Sequence, residues 1–228
     1  MSSLSERKER TAILGLDNSP SITTIENLAV ALGDKRVSLV YPTTVKLLLE
    51  GVDTSIGGYI LAAAIAGIRA NPNYDVAEPL TRKEVIGFTE ITDNLIRSQK
   101  NDLASHGICI VESQSGIARV RHSLTTDMTT VQNQEFSITE LTDYTGQVTR
   151  EILEQMYVGA KILSETPLMV AATLRVVLQN LIDRSIITAF TGISASQNST
   201  DPRQIDVRFA FSPVYPLNWV YIEYSIQV

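Results

Sequence analysis

Residues Thr11 to Pro42 read Thr-Ala-Ile-Leu-Gly-Leu-Asp-Asn-Ser-Pro-Ser-Ile-Thr-Thr-Ile-Glu-Asn-Leu-Ala-Val-Ala-Leu-Gly-Asp-Lys-Arg-Val-Ser-Leu-Val-Tyr-Pro. Thr11 to Leu16 is a short apolar strand candidate that runs into Asp17-Asn18-Ser19-Pro20, a cluster of turn formers. Thr23 followed three residues later by Glu26 is a capping-box signature. The helix it opens carries Ile25, Leu28, Ala29 and Leu32, and Gly33 is a natural stop. Val37 to Tyr41 is a second buried strand, closed by Pro42. Strand, helix, strand within about thirty residues predicts a right-handed βαβ unit with parallel pairing. The fold class that follows is α/β (α+β), a mixed sheet packed with long helices.

Beyond this unit, Thr54 to Ala70 is the most helix-like segment of the first half, small enough at Ala62, Ala63, Ala64, Ala66 and Gly67 for close packing, and Asn71-Pro72-Asn73 ends it. Thr81 and Glu84 repeat the capping-box signature for a short helix, and residues 89 to 104 are expected to be helical. A turn at Ser105-His106-Gly107 leads into strand Ile108 to Val111. The loop Ser113-Gln114-Ser115-Gly116 then joins it to an alternating strand, Ile117 to Leu124, as a hairpin. Leu141 to about Leu163 is expected as a long helix. Thr166-Pro167 starts another that runs to Phe190 and stops at Gly192, apolar nearly all round and therefore expected to be buried. Ile205, Val207, Phe209 and Phe211 alternate as a strand.

The last stretch, Pro213 to Val228, is apolar to its final residue. From Trp219 the period is two: Val220, Ile222, Tyr224, Ile226 and Val228 line one face of a strand, and Trp219, Tyr221, Glu223, Ser225 and Gln227 the other. Chain ends are usually polar and frayed. A β-rich end without a polar tail must pair with a sheet, its own or a neighbour's.

Composition narrows the function classes. The chain has 228 residues, 44% hydrophobic and 19% charged, enough for a sizeable core and too apolar for global disorder. Residues 1 to 10 are expected to be a flexible arm and 11 to 228 one domain. The 19 Lys and Arg against 25 Asp and Glu give a net charge of −6, which argues against nucleic-acid binding as the main task. The single cysteine, Cys109, excludes an intrachain disulfide and lies in the apolar run Gly107-Ile-Cys-Ile-Val111, where it reads as a buried structural thiol. No secretion signal is expected from the polar N-terminus, and the longest apolar run is too short to span a bilayer.

The chemistry-bearing motifs are missing. Neither a phosphate loop, a dinucleotide fingerprint nor a Gly-x-Ser-x-Gly elbow is present. Gly57-Gly58 before the alanine-rich helix reads as packing. His106 and Cys109 supply at most two ligands of a zinc set that needs about four, and His122 sits on the apolar face of its strand as a satisfied core histidine. Glu151 and Glu154 share a helix face with charged neighbours, as solvated helices do. The residues thus give no enzyme hypothesis. A small-molecule enzyme would need a deep polar pocket with a perturbed titratable group. An acidic α/β domain with a pairing-prone end favours an assembly protein.

The chain resembles the C-terminal half of contractile phage tail sheath proteins. Arg10-Thr-Ala-Ile-Leu-Gly-Leu-Asp17, a helix, and Arg36-Val-Ser-Leu-Val-Tyr-Pro42 are similar to the family's strand-helix-strand ending in Tyr-Pro. Gly58-Tyr-Ile-Leu-Ala-Ala-Ala-Ile-Ala-Gly-Ile-Arg69 resembles its hallmark helix, in which Ala-Gly precedes a short apolar step and Arg. Ala77-Glu78-Pro79 stands where the family has an Ala-Pro-Ala-Asn loop, Asn101 to Ile110 resembles its Leu-Asn-x-x-Gly-Ile-Asn strand, and Asp206 to Val228 its terminal strands around a Pro. The departures are Cys109 in place of the Asn after Gly-Ile, the imperfect loop, and the family's N-terminal portion, which has no counterpart here.

The resemblance implies a mechanical function. Sheath subunits polymerise as stacked six-fold rings around an inner tube and contract, with chain-terminal arms donating β-strands to adjacent subunits. Carried to this chain, it implies strand donation by Trp219, Val220, Tyr221, Ile222, Tyr224, Ile226 and Val228. It also suggests an N-terminal interface at Thr11, Ile13 and Leu14 and a tube contact at Glu151, Glu154 and Lys161. The implied partners are other copies in hexameric stacked rings, the tail tube protein, and baseplate and tail-terminator proteins. No cofactor, direct nucleic-acid contact or membrane insertion is implied. The expected location is the phage tail of the virion, after assembly in the host cytoplasm. The alternative is a sheath-like baseplate or tail-terminator ring component with no contractile role.

Overall fold

A computed structural model describes residues 9–17, 20–71, 73–76, 78–92 and 95–226. Most of the expected N-terminal arm, part of the Asp17-Asn18-Ser19-Pro20 turn, Pro72, Ala77 of the loop compared with the family, and Val228 of the closing stretch lie outside them. Where the sequence suggests one domain over 11 to 228, the chain gathers into two compact units. One comprises the residues up to Thr139 together with those from Pro216 on, and the other Glu140–Tyr215.

The first unit begins with the expected βαβ arrangement: β1 (Ala12–Gly15), α1 (Ile22–Leu32) and β2 (Val37–Tyr41). β1 and β2 pair in parallel, and β2 pairs in parallel with β6 (Ile108–Gln114). β6 then turns back antiparallel into β7 (Ile117–His122), so the sheet order is β1-β2-β6-β7 and the sheet is mixed. The α1 cap sits two residues earlier than Thr23. Ser21 accepts the Thr24 N–H on its hydroxyl at 3.2 Å, and Gly33 closes the helix in the left-handed region at φ 45°.

Because β2 and β6 are apolar on both faces, each face needs a cover. Leu39, Ile108 and Ile110 pack with Ile25 and Ala29 of α1 and with Leu103 of α3 (Arg97–Ser105). Val40, Cys109 and Val111 pack on the other face with Leu61, Ala62 and Ile65 of α2 (Tyr59–Arg69). Alternation in two short strands thus builds a helix–sheet–helix sandwich.

The segment read as a helix from Thr54 divides in two. A hairpin of β3 (Thr44–Leu49) and β4 (Val52–Gly57) precedes α2, turning at Glu50 and Gly51 with φ of 50° and 83°. β5 (Glu90–Ile91) adds to β3 to make a three-stranded antiparallel sheet. β-Branched Val52, Thr54 and Ile56 alternate in a way the reading as one helix overlooked. Gly58 marks the junction with α2. Its N–H lies 2.8 Å from Leu16 O and 2.7 Å from Thr43 O. A Cβ on Gly15 would stand 2.2 Å from Gly58 O, and one on Gly58 2.5 Å from Pro42 O. The Gly57-Gly58 pair is a packing device, as the sequence suggests.

No helix starts at Thr81. Arg82 adopts φ 67° and Glu84 bridges to Arg119 in β7. Residues 89 to 104 yield only β5 and α3, because β-sheet pairing of Glu90 and Ile91 with β3 takes their start out of helical conformation. The Arg69 guanidinium at the end of α2 lies between the rings of Tyr74 and Phe136, 5.3 Å from each centroid, and donates to Glu78 O at 3.1 Å. α4 (Val131–Gln134) leads into α5 (Phe136–Tyr157), which ends short of the expected Leu163 and runs into the second unit.

In the second unit α6 (Thr166–Asp183) packs against β8 (Ile187–Gln197), which pairs antiparallel with β9 (Ile205–Pro213). α6 stops well before Phe190. Arg184 caps it, Ser185 turns at φ 58°, and Ile187 opens a strand, so Gly192 lies inside β8 rather than at a helix end. Nor is α6 buried all round: Val170, Leu174, Val177, Leu178 and Leu181 are buried, while Leu168, Met169 and Val176 are exposed. No helix among the described residues is long and apolar enough to cross a membrane.

Candidate assembly interface

The closing stretch is no strand of its own sheet. Residues 214 to 226 have no β pairing among the described residues, although their sequence alternates as a strand. Trp219, Val220, Tyr221, Ile222, Tyr224 and Ile226 are each 69–86% exposed, on both faces of the alternation. An exposed apolar segment of this kind is a hazard unless something covers it. Eight residues from Trp219 to Ile226 reach roughly 26 Å when extended.

The tail has a fixed root. Three residues from three places in the first unit converge on Asn218. The Thr81 hydroxyl donates to Asn218 Oδ1 at 2.9 Å, and Asn218 Nδ2 donates to Glu135 Oε1 at 2.8 Å. His122 Nε2 lies 2.7 Å from the same Glu135 oxygen. A carboxylate oxygen only accepts, so His122 carries its proton on Nε2. The 3.0 Å approach of Asn218 Nδ2 to His122 Nε2 is then two donors side by side on one acceptor. Glu135 is buried, and its other oxygen, Oε2, has no hydrogen-bond partner. Trp219 meets the edge of the His122 ring, with centroids 6.1 Å apart at 84°.

The second unit offers the complementary feature. β8 and β9 form a two-stranded ribbon, so each has one backbone edge without a strand among the described residues. Isolated two-stranded ribbons are marginal in water. β9 carries Asp206 and Arg208 and ends at Pro213, all common protections of an edge; β8 has no charged residue and no proline over its eleven positions. Its departure from regularity is a register shift between Thr191 and Ser194, around Gly192 at φ 64°.

The other expected site residues fall as follows. Ile13 and Leu14 lie in β1, in register with Ser38 and Leu39 of β2, and Thr11 is exposed just before it, at the rim of the four-stranded sheet. Glu151 and Glu154 are exposed on α5, and Glu151 accepts from Gln147 Nε2 at 2.8 Å. Lys161 is exposed but lies past the end of α5, beyond Gly159 at φ 92°, so the three do not share one helix.

His122 is held by Glu135, in keeping with its reading as a satisfied histidine. Cys109 is buried, and that burial pushes its thiol up to about 11. Glu26, Asp102 and His106 bring ligand-type atoms within 4.8 Å across α1 and α3, but His106 Nδ1 already lies 2.9 Å from Asp102 O and Asp102 is exposed. The group is a polar surface cluster. The Asn218 cluster went unread in the sequence, whose one hint was an amide placed inside an apolar tail.

No family model matches the chain. The tail sheath protein of Mycobacterium phage Bxz1 is 33% identical over 226 residues, 96% of this chain and 38% of that protein. The chain therefore spans well under half the length of this curated relative. Among solved structures, the sheath of an extracellular contractile injection system in its contracted state superposes with a TM-score of 0.71 at 14% identity, covering 94% of this chain and 63% of that one. The sheath tail protein of Desulfitobacterium hafniense gives 0.65 at 15% identity over 92% and 51%. The fold is that of tail sheath proteins, and the chain resembles their C-terminal part.

Proposed function

We propose that this chain is a structural subunit of a contractile tail sheath. It polymerises with copies of itself in hexameric stacked rings around an inner tube, and contraction of the assembly drives the tube through the host envelope. Tube, baseplate and tail-terminator proteins are its partners, and the phage tail is its location. The similarity to a phage sheath protein and to contracted sheath structures supports this reading over a non-contractile ring component.

One observation carries the reading. The chain holds a strand-like apolar tail with no strand partner among the described residues, and also a ribbon whose β8 edge lacks the usual protections. In the proposed contact the tail of one copy adds to the β8 edge of another. Main-chain hydrogen bonds supply affinity, and the alternating side chains Val220, Ile222, Tyr224 and Ile226 supply register. Val228 completes that row in the sequence pattern. A backbone ladder of this kind tolerates rearrangement of the bodies it joins, as contraction requires.

Removing Trp219 to Val228 tests the proposal. The shortened protein should stay folded by circular dichroism yet form no polymer in sedimentation or electron micrographs. Tubes of normal appearance from the shortened protein would refute strand donation. Isolated rings from the full chain, with no tubes at any concentration, would favour the non-contractile component.

A further inference from the structure

We infer that Asn218 is the tether of the donating tail, a positioning residue that fixes where the strand leaves its own subunit. The inference rests on the strand-donation reading above. The chain leaves the second unit at Tyr215 and is held in the first only three residues later, by the side chain of Asn218. That side chain uses its oxygen on Thr81, from the segment between α2 and β5, and its N–H on Glu135, at the entrance to α5. The acceptor is a buried carboxylate with a single engaged oxygen, shared with His122. Both donors converge on the one engaged oxygen of Glu135, so binding of the tail root and order of the β7–α5 junction support each other. Trp219, still largely exposed, touches the cluster edge-on at the His122 ring. The free segment therefore begins after Trp219, and its reach toward a neighbour is set from that point. A strand released at Tyr215 instead would search a larger volume, at a lower effective concentration for the acceptor edge.

Trp219 is the one tryptophan of the chain, so its fluorescence reads the tether directly in the unpolymerised full-length protein. Asn218→Ala should lower Trp219 anisotropy and raise acrylamide quenching, while the far-ultraviolet spectrum is kept. The protein concentration needed for polymer should rise on the order of tenfold, the scale of one lost hydrogen bond to a charged group. Asn218→Asp sets a second carboxylate against Glu135 and should do the same. Adding Glu135→Gln to Asn218→Asp restores an amide–carboxylate pair and should recover both readouts. If Asn218→Ala does not fold, Thr81→Ala, which removes only the bond to the amide oxygen, should still give a partial loss of anisotropy.

Unchanged anisotropy and unchanged polymerisation in Asn218→Ala would overturn the tether, as would failure of the double variant to recover either readout. The donation reading fails separately: it falls if removal of Trp219 to Val228 leaves polymerisation intact, whatever Asn218→Ala does to the fluorescence.

Discussion

Glu112 Oε2 stands 3.0 Å from Lys100 Nζ, joining strand β6 to helix α3 through a buried carboxylate. The same oxygen is 3.3 Å from Arg121 Nη1, and Oε1 accepts from Gln114 Nε2 at 2.9 Å. Burial is the largest single influence on this carboxyl and pushes its pKa up. The bonds from Gln114 and Lys100 and the charges of Lys100 and Arg121 together outweigh it, and the net position is below the usual carboxylate range. A carboxyl held low in the folded state stabilises the fold above its unfolded pKa, and that contribution is lost as pH falls through the folded value. Glu112→Gln should therefore cost about 2 kcal/mol at neutral pH, and the difference from the parent should shrink in acid. Urea unfolding at pH 7 and pH 3 measures both.

Gly15 and Gly58 bring the end of β1 against the start of α2 with no room for a side chain. Ala at either position should destabilise the first unit by about 2 kcal/mol or more, the scale of forced overpacking against backbone. Gly67 in α2 is the control. A Cβ there meets nothing within 4 Å, and Gly67→Ala should be neutral or gain up to about 1 kcal/mol from helix propensity. Thermal melts of the three variants rank them.

Cys109 sits on the α2 face of β6 with its thiol raised to about 11 by burial. At pH 8 it should react with a thiol-specific disulfide reagent only on unfolding, so the labelling rate should follow the opening of the first unit. Fast labelling of the folded protein would contradict the packing described for β6.

The open edge of β8 predicts a separation of folding from assembly. Ser194 and Ser196 are exposed on that strand. Lysine at both positions supplies the charge that protected edges carry. The double variant should keep its melting temperature to within a few degrees, about 1 kcal/mol, and lose polymerisation. The same pair of changes at exposed Arg208 and Ala210 of β9 should have the smaller effect, since that strand already carries charge.

The sheet that builds the first unit was legible where one short-range rule acts alone. Val37 to Tyr41 is a short, mostly apolar run that ends at Pro42 and forms the buried strand expected of it. The misreadings have local competitors. Ser21 outbids Thr23 as cap of α1 because its hydroxyl reaches the Thr24 N–H, and both residues are good cappers. The end of α6 was hidden because Ser185, not glycine, takes the left-handed turn, and the apolar run continues into β8 without a break. The tail was legible as a strand pattern, but that it pairs with no strand among the described residues is a tertiary fact. So is the cluster around Asn218, whose members Thr81, His122 and Glu135 are scattered through the sequence and share no spacing rule.

Tail and ribbon are different surfaces of one chain, and that difference carries a consequence of symmetry. Under the proposed donation, two copies that exchange tails reciprocally close as a two-fold dimer, whereas a copy that donates to one neighbour and accepts from another grows head to tail. Each addition occupies one donor and one acceptor and leaves one of each exposed at the ends. The head-to-tail form continues until rotation closes a ring or translation makes a helix. An unprotected strand edge and a tail without strand pairing among the described residues, carried on one chain, would thus admit open-ended growth, with the geometry of the bodies deciding between dimer, circle and spiral.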